Sequence, residues 1–371
     1  MKKIFYVFML FCKFGLAQDY IDYKQYHLGV IKAEKFILLD GKPVKGLLVF
    51  DSVFQKYPFA FVDDCIEAFQ LALLYEQNDL AMKFIKKAMD NGFRLELLKH
   101  LKCDCLHSSV LKKNLRVHIF DSFVDSNLAE LQQYEQDAFY QFVSRINKKL
   151  LKEIIRRHII EQTYKNLGSK LAIGIKKSRN KFISVNQNNL HFFEALWKNG
   201  IYFGEKNLGL MDNMLLKATD IEYLGDNGFL TDSLLASLGL VSETYIPIIT
   251  ERDDYFGMSP VFTILFHNPK SFEILAPYKD EMIQMGFLHP REYAMLVVEQ
   301  GSGRRRISID KMRLTNKMKL TNFGKKLSFT SEINKLRRAY LLPPYEVDYA
   351  KHLLVNKYCL KLNFGMFNGG R

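Results

Sequence analysis

The chain has 371 residues, 48% of them hydrophobic and 25% charged, which excludes a disordered or collagen-like polypeptide and allows a sizeable core. Nine prolines, against many Leu, Lys and Glu, favour long helices over a turn-rich sandwich. The formal charge of +13 points to anionic partners, through phosphate-bearing or acidic surfaces, rather than cationic ones.

Lys2 and Lys3 precede an apolar run, Ile4 to Cys12, and then Gly15-Leu16-Ala17. A charged start, a short apolar stretch and a small-x-small site predict a signal peptide over residues 1–17. The run is shorter than the roughly 20 residues a membrane-spanning helix needs, and Phe11 before Cys12 argues against lipidation. The plainer alternative is a buried apolar helix in a cytosolic protein. Export followed by cleavage implies a periplasmic or secreted location.

Residues 18–125 read as short antiparallel helices. Gly46 and Phe50 stand between Gly41 and Pro58, and Leu71, Ala72 and Tyr75 share one helical face. Ala81, Phe84, Ile85 and Ala88 form the next face, with Asn91-Gly92 as its stop. The interval from Gly41 to Pro58 resembles the second half of a tetratricopeptide repeat, although a stable solenoid needs about three stacked units.

Residues 126–371 read as a second, helical domain. Asp125 and Asn127 are candidate caps for a helix through Phe142 that continues past Ile146 or breaks near Lys148. Lys176 to Asn180 is the best linker, and Asn186 to Asn189 reads as a turn before a helix that stops at Asn199-Gly200. Further on, Gly286 stops a helix and Pro290 opens one, because a first-turn proline loses no needed N–H. Alternation at Ile307/Ile309 and Leu327/Phe329 predicts a basic β ribbon near 305–330, and a last helix begins near Glu346. The predicted fold is therefore mainly α, a tetratricopeptide-like module followed by a helical domain with a small β ribbon.

Several strings in this second part resemble an uncharacterised domain family common in exported Bacteroidota proteins. They are Glu161-Gln162-Thr163-Tyr164-Lys165, Phe266-His267-Asn268, His289-Pro290-Arg291-Glu292-Tyr293-Ala294 and Arg337-Arg338 ahead of Leu341-Leu342-Pro343-Pro344. The resemblance spans roughly residues 150–350 and implies a fold and export, with no known reaction. Where relatives carry an acid followed by arginine, this chain has Val298-Glu299-Gln300, and Glu161 and Lys165 replace the usual acidic–basic pair.

Candidate chemistry is sparse. No dinucleotide fingerprint, phosphate loop, nucleophile elbow or H-E-x-x-H string occurs. His267 and His289 each precede a proline-fixed helix start, and Glu292 lies where it can cap the His289 backbone or join it in acid–base work. Arg291 is a candidate carboxylate or phosphate clamp. Two basic blocks, residues 140–181 and 301–340, each hold twelve Lys/Arg against two acids. They offer Arg156, Arg157, Arg304, Arg305 and Arg306 as candidate binding residues, the plainer reading being solvated helix faces. Gly301-Ser302-Gly303 lacks the Lys-Ser/Thr of a phosphate cradle. Cys103-Asp104-Cys105 lacks a second ligand pair, so no metal and no cofactor are expected. Cys65, Cys103, Cys105 and Cys359 allow disulfides without fixing a pairing.

The expected function is an exported, non-enzymatic binding protein with a helical groove for a protein or peptide segment and a basic surface for an anionic envelope partner. The alternatives are a hydrolytic enzyme using His267, His289 and Glu292, or a cytosolic nucleic-acid binder if residues 1–17 are not removed. Nucleic acid is an unlikely partner of an exported chain.

Overall fold

A computed structural model describes residues 21–101, 117–170, 175–210, 215, 218–219, 260–300, 330–358, 360 and 362. Among these residues there are fourteen α-helices, one 3-10 helix and no strand. None of the helices is long and apolar enough to cross a membrane. The expected β ribbon, the Arg304–Arg306 cluster and Cys103, Cys105 and Cys359 all lie outside the described residues.

The N-terminal part pairs α1 (Tyr23–Leu38) with α2 (Pro43–Lys56) and α3 (Val62–Leu74) with α4 (Asn78–Asp90). Asp22 caps α1 by accepting from the Lys24 N–H, and Pro43 opens α2. The α1–α2 pair is antiparallel, since Gly29 faces Val53 while Ala33 and Ile37 face Gly46. A Cβ at Gly46 would lie 2.4 Å from Ile37 Cγ1 and 2.6 Å from the Ala33 carbonyl oxygen, so glycine there permits the close crossing. Phe50 and Phe54 of α2 then meet Phe84 of α4, joining the two hairpins. Cys65 of α3 is a buried free thiol.

After the 3-10 helix Leu95–Leu101 comes α5 (Val117–Arg145), followed by α6 (Lys148–Lys170) and α7 (Ile175–Lys198). The break at residues 146–147 falls where the hydrophobic pattern allowed one. The expected domain boundary at 125/126 lies inside α5, which bridges two apolar cores. Phe123, Leu131 and Ala138 join the N-terminal core, while Phe142 enters the second. Asn127 therefore caps nothing, and its side-chain amide donates to the Phe123 carbonyl one turn back.

The expected linker at Lys176–Asn180 and the expected turn at Asn186–Asn189 are both parts of α7. Asn186, Asn189, Leu190, Phe193 and Trp197 fall at helical spacing and are all buried. The two asparagines are partners for other elements. The Asn186 carbonyl accepts from Asn268, and the Asn189 side-chain oxygen accepts from Arg157. Turn-forming residues thus sit on the inward stripe of a helix, where the Asn189 side chain and the Asn186 backbone carbonyl meet donors from other elements.

The remaining described helices are α8 (Glu205–Leu208), α9 (Pro260–Phe266), α10 (Ser271–Leu275), α11 (Lys279–Met285), α12 (Pro290–Gln300), α13 (Thr330–Ala339) and α14 (Tyr345–Tyr358). The stops at Gly200 and Gly286 fall where the sequence places them, both with positive φ. Gly286 adds a close approach, because a Cβ there would lie 2.9 Å from the Tyr23 ring. That contact brings the start of α12 against α1 and so creates the site described next.

Candidate functional site

The string His289-Pro290-Arg291-Glu292 builds the start of α12. His289 Nδ1 accepts from the Arg291 N–H at 3.1 Å, and Glu292 Oε2 accepts from the His289 N–H at 3.1 Å. With proline between them this is a reciprocal capping box in which histidine takes the usual Ser/Thr place. A backbone N–H only donates, so Nδ1 carries a lone pair and the neutral ring holds its proton on Nε2. Nε2 lies 3.5 Å from Asp64 Oδ2, on α3.

Around that pair the aromatic side chains are tightly set. His27 of α1 meets His289 edge to face at 5.0 Å, and Phe61 meets His289 at 4.9 Å. Tyr26 donates its hydroxyl to Asp64 Oδ2 at 2.9 Å and accepts from the Phe61 N–H. Burial and the neighbouring His289 hold His27 well below its ordinary value, so it is neutral. Burial opposes ionisation of Asp64, but His289, His27 and the Tyr26 hydroxyl outweigh it and bring the carboxyl down to about 2.

Three more carboxylates rim this pocket and are only partly buried: Asp63, Glu205 and Glu292. Glu205 Oε1 accepts from the Val62 N–H at 2.7 Å and so caps α3 from another element. Burial and then the charge of Asp64 push Asp63 up to about 7. Burial and then Asp63 raise Glu205 well above the carboxylate range. Burial likewise raises Glu292, against the hydrogen bond from His289.

Immediately beneath lies a second buried group that balances its charges. Arg291 Nη2 is 3.3 Å from Glu34 Oε1 and its Nη1 is 3.2 Å from Asp348 Oδ1. Arg337 also pairs with Asp348, while Lys351 Nζ lies 2.5 Å from Glu34 and 2.6 Å from Glu67. Three cations thus meet three carboxylates, none more than 7% exposed. Burial favours loss of the Arg291 proton, but Asp348 and Glu34 outweigh it and hold the guanidinium charged. Arg291 is accordingly an internal tie between α1, α12 and α14, and not an exposed clamp.

His267 belongs elsewhere. Its Nδ1 is 2.7 Å from Oε1 of Glu161, a fully buried residue of α6, and its Nε2 is 2.9 Å from Lys165 Nζ. Gln162 donates to the other Glu161 oxygen, and burial pushes the adjacent His158 down to about 4. The three-residue site expected from His267, His289 and Glu292 is thereby divided. His289 and Glu292 meet in the capping box, whereas the polar partners of His267 come from α6. The expected clamps Arg156 and Arg157 both bind Glu153, and Arg157 also stacks 3.8 Å above the Phe192 ring, tying α6 to α7.

Sequence reasoning missed His27, Asp64, Glu34, Glu67, Asp348 and Lys351. A signal was present: His27 and Glu34 are seven residues apart on the apolar stripe of α1, between Tyr26, Val30, Ala33 and Ile37. In the almost wholly buried α3, Asp64, Glu67 and Gln70 recur every three residues. The chain matches no family model, no curated protein and no solved structure.

Proposed function

We propose that the chain is an exported, non-catalytic binding protein whose helical-repeat-like N-terminal module receives an acidic amphipathic helix from a partner protein. The observation that carries this reading is the outward face of the α1–α2 hairpin. In stacked helix pairs each hairpin covers its neighbour, and a terminal hairpin normally turns a polar face outward. Here Leu28, Leu39, Val44 and Leu48 are 41–54% exposed. Phe36 joins the two helices on that side, with Lys45 Nζ 4.4 Å and Lys32 Nζ 6.0 Å from its ring centroid. Lys35 and Lys42 are exposed beside them. An apolar stripe within a ring of lysines complements a helix with leucines on one face and glutamates flanking them.

A labelled helical peptide of that pattern is expected to bind the chain, more weakly as salt rises, and at least tenfold more weakly to Leu48→Asp. Equal binding by Leu48→Asp, or equal binding of the same peptide with lysines in place of glutamates, overturns the reading.

One observation favours a second, hydrolytic reading. A buried carboxylate against Nδ1 of a histidine, with Nε2 turned toward an exposed side, is the arrangement of a general base. Glu161 and His267 come near it, with Oε1 and Nδ1 2.7 Å apart but not aligned as a hydrogen bond, and with Lys165 at Nε2. On this reading a panel of chromogenic carboxylic and phosphoric esters includes one turned over by the chain. Glu161→Gln and His267→Gln then each lose about 10²–10⁴-fold in rate. Turnover that survives both substitutions, or no turnover on any ester, removes it.

A further inference from the structure

We propose that His27, Asp64 and His289 form a binding site for a divalent first-row metal ion, zinc foremost. The ligand atoms these three residues offer all lie within 4.8 Å of one another. Nε2 of His27 is buried without a hydrogen-bond partner, His27 as a whole being 2% exposed, and Nε2 of His289, also buried, has only the long 3.5 Å approach to Asp64. Buried polar atoms are nearly always satisfied, so an unpartnered and a loosely partnered imidazole nitrogen around one carboxylate mark a place where something else binds. Two imidazoles and a carboxylate are the donor set of a zinc site that keeps a fourth position open. Donor atoms held at about 2.0–2.1 Å from zinc stand roughly 3.4 Å apart, close to the 3.5 Å between His289 and Asp64. A modest movement of His27 completes the set.

Charge points the same way. The lower group sets Arg291, Arg337 and Lys351 against Glu34, Glu67 and Asp348, so each of its carboxylates has a cation beside it. The upper group of Asp63, Asp64, Glu205 and Glu292 has no lysine or arginine of its own among the described residues. The helix starts of α3 and α12 supply roughly half a positive charge each, about one in total, against four carboxylates. Asp63, Glu205 and Glu292 are partly exposed and the His289 side chain is 12% exposed, so the group is not sealed from solvent.

Metal binding has one identifiable cost. For Nε2 of His289 to donate its lone pair, the proton must move to Nδ1, which then releases the Arg291 N–H. That loss is a single hydrogen bond, small beside the affinity of a three-ligand site. The Tyr26 hydroxyl stays on Asp64 as an outer partner that orients it.

The test uses the full chain, loaded with Zn2+ or Co2+ at neutral pH and freed of excess ion by gel filtration. One metal ion per chain is expected, with a rise in Tm that a chelator reverses. His27→Gln and Asp64→Asn are expected to lower affinity at least tenfold. His191→Ala, altering a histidine 73% exposed on α7, leaves it unchanged. Because His27 and Asp64 lie in the core, the Co2+ spectrum of the unaltered chain is a second readout that needs no variant. Intense visible bands of a four- or five-coordinate ion support the site, and the weak spectrum of the aqueous ion overturns it. No retained metal in the unaltered chain, or equal retention by folded His27→Gln and Asp64→Asn, also overturns it.

Discussion

Replacing Lys351 by methionine is expected to destabilise the fold by about 3–5 kcal/mol, the largest effect of any single substitution considered for this chain. The side chain is fully buried and its ammonium lies within 2.8 Å of both Glu34 and Glu67, so its loss leaves three buried carboxylates facing two cations. Methionine fills most of the volume, and the penalty is therefore electrostatic and not that of a cavity. Adding Glu67→Gln is expected to recover part of the loss, because it removes one of the stranded charges. Urea denaturation of the two single variants and the double variant closes the cycle. Strict additivity would show that the residues are not energetically coupled, and an unchanged midpoint for Lys351→Met would show that the group contributes nothing.

The second large effect is a fall in stability as pH rises from about 4 to about 7, expected to be less steep in Asp63→Asn. Asp63 takes up its proton with a pKa raised from 3.8 to about 7 in the folded chain, by burial first and Asp64 second. Between those values the folded state binds more protons than the unfolded one, so stability declines with increasing pH. The slope is at most about 1.4 kcal/mol per pH unit for one such group. The groups facing it are Asp64 on its own helix, His27 on α1, Glu205 on α8, and His289, Arg291 and Glu292 on α12. Glu67, raised to about 8, and Glu205 and Glu292 are shifted in the same direction, so a slope of the same sign remains in the variant. His27 and His158 are shifted down and gain stability as pH rises toward 6.5, which offsets part of the trend. Asp64 and Asp348 are shifted down, and their stabilisation is complete above pH 3.8 and lost only below it. Parallel pH profiles of denaturation midpoint for Asp63→Asn and the unaltered chain would rule out Asp63 as a source of the trend.

Much of the helical architecture is legible in the order of residues. Local rules act over a few positions, so Gly200 and Gly286 stop helices, Pro43 and Pro290 start them, and Glu292 reaches back to the His289 N–H. Where local and distant demands differ, the same rules mislead. Asn186 and Asn189 have the chemistry of a turn, but they lie on the buried face of α7, where the Asn186 backbone carbonyl accepts from Asn268 and the Asn189 side chain from Arg157. Arg291 and Arg337 look like surface charges and are instead interior.

Local residue order thus specifies a helical chain, where several of its helices begin and end, and the contact of histidine with glutamate at the start of α12. Which charges are buried together follows from the packing of the helices. His27, Asp64 and His289 come from three helices separated by up to 262 positions, and nothing local to any one of them encodes the other two. They meet because Gly286 lets the turn before α12 press against Tyr23. A site of this kind is a property of helix packing, and its chemistry arises from desolvation and mutual charge that no single segment carries.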